Sequence, residues 1–279
     1  MPQAKDFGDM DRRMDDDMGG DSNRNSPRNH HTVFRGEGHV LKDNGASTTR
    51  KSASAERWFE RFFDRLTAGD RVACRDILRE YLESGNETLH ALRNLIWPAC
   101  ALIETLSRRD QLSSVHEHCA TVLLTQLVQR LECALPKSPS RCRCVVVTSG
   151  RAAVEELAAE IFAGLAEADG FDVVFLGGGV ESDDLFAEVG VRQPSFVVSF
   201  AGCGSDAPRL RRFIDASRTQ TPVIGMQIGV GGGVFARAPG LAEEIRADFS
   251  ADTPFDMLQS LRTLANGPIA RVVGRNRAA

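Results

Sequence analysis

Residues 222–252, PVIGMQIGVGGGVFARAPGLAEEIRADFSAD, indicate the fold more directly than any other stretch of the chain. An apolar, β-branched run at 223–230 ends in the triplet Gly231, Gly232 and Gly233, and a helical pattern at 241–245 and a short strand around Phe249 follow. Because glycine has no Cβ, three in succession allow the backbone to approach a bulky ligand closely. The stretch therefore predicts a strand, a ligand-facing turn, a helix and a second strand.

The same alternation extends to both sides of this stretch. Strand-like runs at 144–147, 173–176 and 196–200 are followed by helical patterns at 154–168, 183–189 and 207–217, and a last helix begins at Pro254. Strands that alternate with helices of this length are typical of a parallel sheet with helices on both faces. We predict an α/β fold: a flavodoxin-like (Rossmann-type) five-stranded parallel sheet over residues 140–270.

Small residues stand at the predicted carboxyl ends of the strands, where ligands bind in such sheets. We expect one binding site to be lined by Thr148, Ser149, Gly150, Ser199, Gly202, Gly231, Gly232, Gly233 and Ser250. A dinucleotide site is the weaker interpretation, because the triplet lacks the G-x-G-x-x-G spacing and no Walker lysine is present. Arg151 is either an anion-binding residue at a helix start or a solvated side chain. Glu155 and Glu156 are expected on the exposed face of their helix.

Four amphipathic helices are predicted before the sheet. Apolar residues recur with helical spacing from Ser54 to Gly69, in a second segment capped by Asp70, in a third that contains Pro98, and in a fourth capped by Ser113 or Ser114. Pro98 should bend or break the third helix. Short links between amphipathic helices indicate an antiparallel four-helix bundle, over residues 53–136.

Composition excludes several classes of function. The 279-residue chain carries a formal net charge of −4, which gives no overall nucleic-acid footprint. No apolar run reaches the ~18 residues of a membrane span, so a cytoplasmic protein is expected. The seven cysteines fall mostly within apolar patterns and are expected to be reduced, buried thiols. Residues 1–52 are polar and aperiodic and are interpreted as a disordered tail.

Several segments together resemble the cobalamin-binding proteins. In the predicted bundle, IWPACALIETL resembles the family's proline-containing third helix, and SSVHEHCAT resembles the start of its fourth helix, with a Glu-His pair. In the sheet, VVSFAG, GVGGGVF and RADFSAD resemble the family's strand ends and glycine turn. The family includes the cobalamin module of methionine synthase, the corrinoid proteins of methyltransferase systems, light-sensing cobalamin-dependent transcriptional regulators, and photosynthesis anti-repressor proteins. The resemblance covers about residues 54–266 and implies a helical bundle that caps a flavodoxin-like cobalamin-binding domain.

One departure from the family pattern concerns the metal. The usual signature after the first strand is D-x-H-x-x-G, whose histidine coordinates cobalt from below. Here the stretch reads GRAAVEE, with Arg151, Ala153 and Glu156 at the aspartate, histidine and glycine positions. Alanine has no lone pair to donate, and no histidine follows His118. We therefore expect cobalamin that is base-on or water-ligated below; haem, or no ligand, is the alternative.

The resemblance also singles out residues of the predicted fourth helix. His118, expected on the inner face, is the candidate upper axial ligand of cobalt or iron, and the carboxylate of Glu117 would orient its ring; a hydrogen-bonded core or surface histidine is the alternative. The light sensors carry an aromatic residue above the ligand, and Ser107 or Arg108 stands there in this chain, which argues against an identical adenosyl pocket.

These observations lead to a functional hypothesis. No nucleophile–base pair or metal cluster spaced for catalysis is found, so we expect no enzyme but a tetrapyrrole-binding sensor or regulatory protein. It would act through a protein partner, a transcription regulator or a methyltransferase, without binding nucleic acid or membrane itself. The alternatives are a corrinoid carrier protein of a methyltransferase system, and a haem-binding or ligand-free interaction protein of the same fold.

Overall fold

The computed structural model describes residues 45–220, 223 and 225–267, with side chains from Ser54 onward. Most of the predicted tail lies outside the described residues. The first helix, α1 (Gly45–Thr67), begins within the last part of that segment, before Ser54, where the apolar periodicity starts. The remaining helices before the sheet are α2 (Arg71–Glu83), α3 (Thr88–Ala91), α4 (Trp97–Arg108) and α5 (Ser114–Glu132).

The predicted helix caps are present. The backbone N–H of Ala73 donates to Asp70 Oδ1 over 3.0 Å, and that of His116 donates to Ser113 Oγ over 3.4 Å. Each bond satisfies one of the N–H groups that a helix start leaves without an intrahelical partner.

Pro98 follows a π-helical turn (Leu92–Ile96) that joins α3 to α4. The residue lies in the first turn of α4, where its missing N–H costs little. The predicted bend or break at this proline therefore takes the form of a widened turn, which is a recognised cause of helix distortion.

Five parallel strands form the sheet, in the order β2-β1-β3-β4-β5. They are β1 (Cys144–Ser149), β2 (Asp172–Gly178), β3 (Phe196–Phe200), β4 (Gln227–Gly231) and β5 (Phe249–Ala251). The helices of this half are α6 (Ala153–Ala168), α7 (Ser182–Arg192), α8 (Asp206–Gln220), α9 (Gly233–Arg237), α10 (Leu241–Glu244) and α11 (Pro254–Ala265). The predicted flavodoxin-like fold is confirmed, and its strand order reverses at β1 and β3, which places the ligand crevice beyond their carboxyl ends.

Two apolar layers cover the two faces of the sheet. The first joins Phe62 and Leu124 of the preceding helices to Phe162 of α6 and Phe200 of β3 in one continuous cluster. The second lies on the opposite face and is centred on Ile214 of α8. Helices α1–α5 therefore share their core with one face of the sheet.

The cysteines are free, as expected, but only Cys74 and Cys100 are buried. Four others are exposed and Cys144 is intermediate, so the expectation of mostly buried thiols is wrong; the exposed four are Cys119, Cys133, Cys142 and Cys203.

Candidate functional site at the carboxyl edge of the sheet

The polar residues predicted at the strand ends lie next to one another. Thr148 is paired with Ser199 across β1 and β3, Ser199 with Val230, and Val230 with Ser250. Thr148 and Ser199 are buried, whereas Ser250 is exposed. The Thr148 hydroxyl donates to the carbonyl of Gly177 over 3.1 Å, and that of Ser149 donates to the carbonyl of Gly150 over 3.1 Å. The hydroxyl donors of Thr148 and Ser149 are therefore satisfied by backbone.

The glycine triplet packs mainly against the chain itself. A Cβ at Gly231 would lie 2.9 Å from the carbonyl oxygen of Ala251, and one at Gly232 would lie 2.5 Å from that of Ala201. Gly232 has φ +98° and ψ 175°, a conformation open essentially to glycine alone. Gly233 borders a cavity. Gly231 and Gly232 thus lie close to the chain's own backbone, and their contact with a ligand stays a prediction.

Gly202 lies beneath the carboxyl group of Glu155, a residue that the sequence predicts on the exposed face of its helix. The Glu155 side chain lies directly over Gly202, where a Cβ would overlap it. Glu155 is 6% exposed, and its Oε2 has no hydrogen-bond partner within the described part of the chain. Burial, together with the Glu104 and Asp206 carboxylates, raises its pKa to about 7, against a backbone hydrogen bond and the Arg237 guanidinium, which both lower it.

The expectation that Glu155 and Glu156 share an exposed face is therefore wrong for Glu155. Glu156 is exposed and accepts a hydrogen bond from the Gly178 N–H over 3.3 Å. Helix α6 is apolar on nearly all sides because it lies between the sheet and the preceding helices. Its alanine-rich sequence is the signal that could have predicted a buried position for Glu155.

Arg237 links α9 to the helices before the sheet. Its Nη1 lies 2.7 Å from Glu104 Oε1 on α4, and its Nη2 donates to the carbonyl of Gly202 over 2.5 Å. The adjoining cavity, which Gly233 borders, measures about 370 Å³. Its other walls are formed by Trp97, Ala101, Glu104, Thr105, Arg108, Arg109, Ala236, Arg237 and Asp252.

The lower side of the site offers no ligating side chain from the signature position. Ala153 is the first residue of α6, and its neighbour Ala152 makes no side-chain cap. Arg151 is exposed and pairs with Glu181 at 2.6 Å. Of the two interpretations left open for Arg151, the solvated side chain is the one that the geometry matches.

His118 is exposed rather than on the inner face of α5, which corrects its predicted placement. The inner face is formed by Ala120, Leu124, Leu127 and Leu131 instead. Glu117 is half-buried and accepts a hydrogen bond from the Ser107 hydroxyl. No group of three or more histidine, cysteine or acidic side chains that could hold a metal is present in the part of the chain that the structure describes. A role for His118 as axial ligand stays a prediction.

The fold and the site together define a flavodoxin-like sheet preceded by helices that cover one of its faces. Residues 58–132, which run from α1 to the end of α5, match the family model described as B12 binding domain. This match and the fold confirm the resemblance to the cobalamin-binding proteins predicted from the sequence.

Comparison with solved structures gives one match that shares this fold and two weaker ones. The monomethylamine corrinoid protein of Methanosarcina barkeri matches with a TM-score of 0.64 at 13% identity, over 75% of this chain and 99% of its own. A cobalamin-binding protein from Desulfitobacterium hafniense DCB-2 gives a TM-score of 0.40 at 16% identity, over 73% and 96% of the two chains. A methanol:cobalamin methyltransferase complex from Methanosarcina barkeri gives 0.41 at 13% identity, over 82% and 96%. No curated protein matches significantly.

The cavity at this edge of the sheet is smaller than a corrinoid. A cavity of about 370 Å³ is at the small end of the ~300–1,000 Å³ that drug-sized ligands occupy, and a corrinoid with its nucleotide loop is larger. Glu155 fills the space over Gly202, and Arg237 ties this edge to α4. As for membranes, no described helix is long and apolar enough to cross one.

Proposed function

We propose that this chain is a corrinoid-binding protein that holds cobalamin between α1–α5 and the carboxyl edge of the sheet. The observation that carries the proposal is the match of residues 58–132 to the B12 binding domain, directly before a sheet with the fold of a corrinoid protein. Once bound, a corrinoid supplies a cobalt centre that can carry a methyl group or another upper ligand.

The chain's own residues would determine how cobalt is ligated. Ala153 leaves the lower side without a protein ligand, which supports a base-on or water-ligated state. On the upper side His118 is the candidate ligand, and Glu117, fixed by Ser107, lies beside it in sequence. Imidazole is the commonest metal ligand that proteins use at such positions.

We favour a carrier role, in which the chain presents a corrinoid to a methyltransferase partner and is not an enzyme itself. The fold shared with a monomethylamine corrinoid protein supports this role. The second candidate is the sensor expected from the sequence, in which the bound corrinoid changes contacts with a regulatory partner such as a transcription regulator. Ala153 supports the sensor, because the family's methyl carriers usually keep the lower histidine.

The deciding experiment is incubation of the full chain with hydroxocobalamin, followed by gel filtration and absorbance spectroscopy. We expect the corrinoid spectrum to elute with the protein, whereas a chain that elutes colourless would contradict the proposal. A Soret band in the purified protein would replace the corrinoid with haem. Transfer of a methyl group from the methylated, loaded protein to a thiol acceptor would support the carrier over the sensor.

His118→Ala tests the upper ligand. We expect this variant to shift the visible spectrum of the bound corrinoid and to weaken binding, because a nitrogen ligand is lost. His116→Ala is the matched control, since His116 is an exposed histidine on the same helix turn. An unchanged spectrum in His118→Ala would exclude the imidazole as ligand.

A further inference from the structure

Two guanidinium groups hold one carboxylate where α4 meets the sheet. Glu104 Oε1 lies 2.7 Å from Arg237 Nη1 and 3.8 Å from Arg108 Nη1. Arg237 is itself fixed at the sheet edge, because its Nη2 donates to the carbonyl of Gly202 over 2.5 Å. The carboxylate of Glu104 therefore occupies an anion-binding position between these two guanidinium groups.

The cavity beside this pair carries an excess of positive charge. Arg108, Arg109 and Arg237 line it, against the carboxylates of Glu104 and Asp252. Arg109 forms no ion pair among the residues that the structure describes. Trp97 adds an aromatic wall. If Glu104 left, the cavity would hold three guanidinium groups and one carboxylate.

The sequence keeps space for the ion pair. A Cβ at Gly233 would collide with the Arg237 guanidinium and would lie 2.5 Å from Glu104 Oε1. Gly233 has no positive φ, so its backbone does not require glycine. A side chain at Gly233 would therefore displace the Arg237–Glu104 contact.

We propose that Arg237 and Arg108 form a phosphate-binding subsite, which Glu104 occupies in the closed conformation and a phosphodiester occupies in the ligand-bound one. The inference rests on the proposed function, because the phosphodiester would be that of the nucleotide loop of cobalamin. A guanidinium binds carboxylate and phosphate with the same paired N–H donors, so one anion can replace the other without a change of Arg237 geometry. Release of Glu104 would also free α4 from the sheet edge, which the bulk of a corrinoid requires.

The test compares two corrinoids, since cobinamide lacks the nucleotide loop and its phosphodiester. Glu104→Gln removes the competing charge at constant size, and we expect hydroxocobalamin to bind about threefold or more tightly. Both variants also break the Arg237–Glu104 contact and so ease entry of either corrinoid, and the subsite is therefore measured by the ratio of hydroxocobalamin affinity to cobinamide affinity. Glu104→Gln should raise this ratio about threefold or more, and Arg237→Ala, which removes the subsite, should lower it about tenfold.

A matched pair elsewhere provides the control. Glu188 and Arg192 form a 2.7 Å ion pair on α7, away from the junction. Glu188→Gln and Arg192→Ala should leave the affinity for both corrinoids unchanged. If Glu104→Gln and Arg237→Ala alter cobalamin and cobinamide binding equally, the phosphate subsite is wrong although corrinoid binding stands.

Inorganic phosphate separates this inference from the proposed function. Calorimetric titration of ligand-free Glu104→Gln with phosphate should show binding that the double variant Glu104→Gln/Arg237→Ala lacks. If Glu104→Gln binds phosphate and the double variant does not, while no variant binds cobalamin, the phosphate subsite is supported and the proposed function fails. The ligand of the subsite would then be a free phosphate ester. If phosphate does not distinguish the single variant from the double variant, the subsite is excluded.

Discussion

At the scale of single residues, Glu155 places a carboxyl group where a charge is costly. Its side chain is 6% exposed, and the neighbouring carboxylates of Glu104 and Asp206 add to the effect of burial that raises its pKa to about 7. The folded-state pKa thus lies above that of the unfolded chain, about 4.3. The stabilisation from this group is complete below the unfolded pKa and is lost as pH rises through about 7.

We predict that Glu155→Gln stabilises the protein at pH 8 by on the order of 1–3 kcal/mol, because the amide carries no charge to bury. The gain should shrink toward pH 5, where the wild-type carboxyl is protonated. Urea unfolding of the wild type and the variant at several pH values between 5 and 8 measures the stabilisation at pH 8 and its decrease toward pH 5. The neighbouring Glu156→Gln is the control, since Glu156 is exposed and should show no such pH dependence. An equal gain at both pH values would contradict the titration of Glu155.

The residues of the site differ in how far sequence could predict them. Thr148 and Ser199 could be placed together, because the carboxyl ends of parallel strands share one edge and both follow strong strand patterns. Glu155 could not, since its burial depends on helices packing over α6 from the other side. The sequence does not reveal that His118 is exposed, because α5 carries apolar residues on more than one side, including the exposed Val115 and Val122.

At the scale of elements, the turn after β4 has a backbone that few residues can adopt. Gly232 has φ +98° and ψ 175°, and its Cα approaches the backbone of Ala201. The N–H of Ala201 donates to the carbonyl of Gly231 over 2.9 Å, and the N–H of Val234 donates to that of Ala201 over 3.2 Å. The turn therefore joins the ends of β3 and β4 through backbone contacts.

We predict that Gly232→Ala destabilises the protein by about 2–4 kcal/mol, since the methyl group adds a close contact to a strained backbone. Gly204→Ala is the control, because a Cβ at Gly204 meets no atom within 4 Å and its φ is not positive. That variant should stay within about 0.5 kcal/mol of the wild type. Chemical denaturation compares the two, and equal stabilities would show that the turn relaxes without cost.

The sequence predicts helices and strands well where the apolar periodicity is strong. It does not predict the short helix that follows the turn after β4. The strand at 196–200 was predicted with the bounds that β3 has, and the starts of α5 and α11 were placed at their caps or first proline. The short helix α9 was missed, because a glycine-rich start and five residues give no measurable apolar period. Arg237 lies at the end of α9, so its contact with Glu104 cannot be inferred from the sequence alone.

At the scale of the whole molecule, the helices before the sheet and one face of the sheet share a single apolar cluster. The cluster includes Phe62 of α1, Ile103 of α4, Leu157 of α6 and Met257 of α11. A second cluster around Ile214 lies across the sheet and contains no residue of α1–α5. Because the strands contribute side chains to both clusters, loss of either cluster should destabilise the sheet and, through it, the helices.

We predict that Ile214→Ala, in the cluster remote from α1–α5, lowers the unfolding midpoint of those helices as much as that of the sheet. The truncation should cost about 2–5 kcal/mol. Both tryptophans, Trp58 and Trp97, lie in α1 and α4, so their fluorescence follows the helices before the sheet, whereas far-UV circular dichroism follows the whole fold. Arg212→Ala, exposed on the same helix as Ile214, should shift neither signal. If the tryptophan transition stays at the wild-type midpoint while the dichroism transition moves, the helices and the sheet unfold independently, and the shared cluster does not couple them. Coincident shifts would show that the helices and the sheet unfold as one cooperative unit, coupled through the strands that contribute side chains to both clusters.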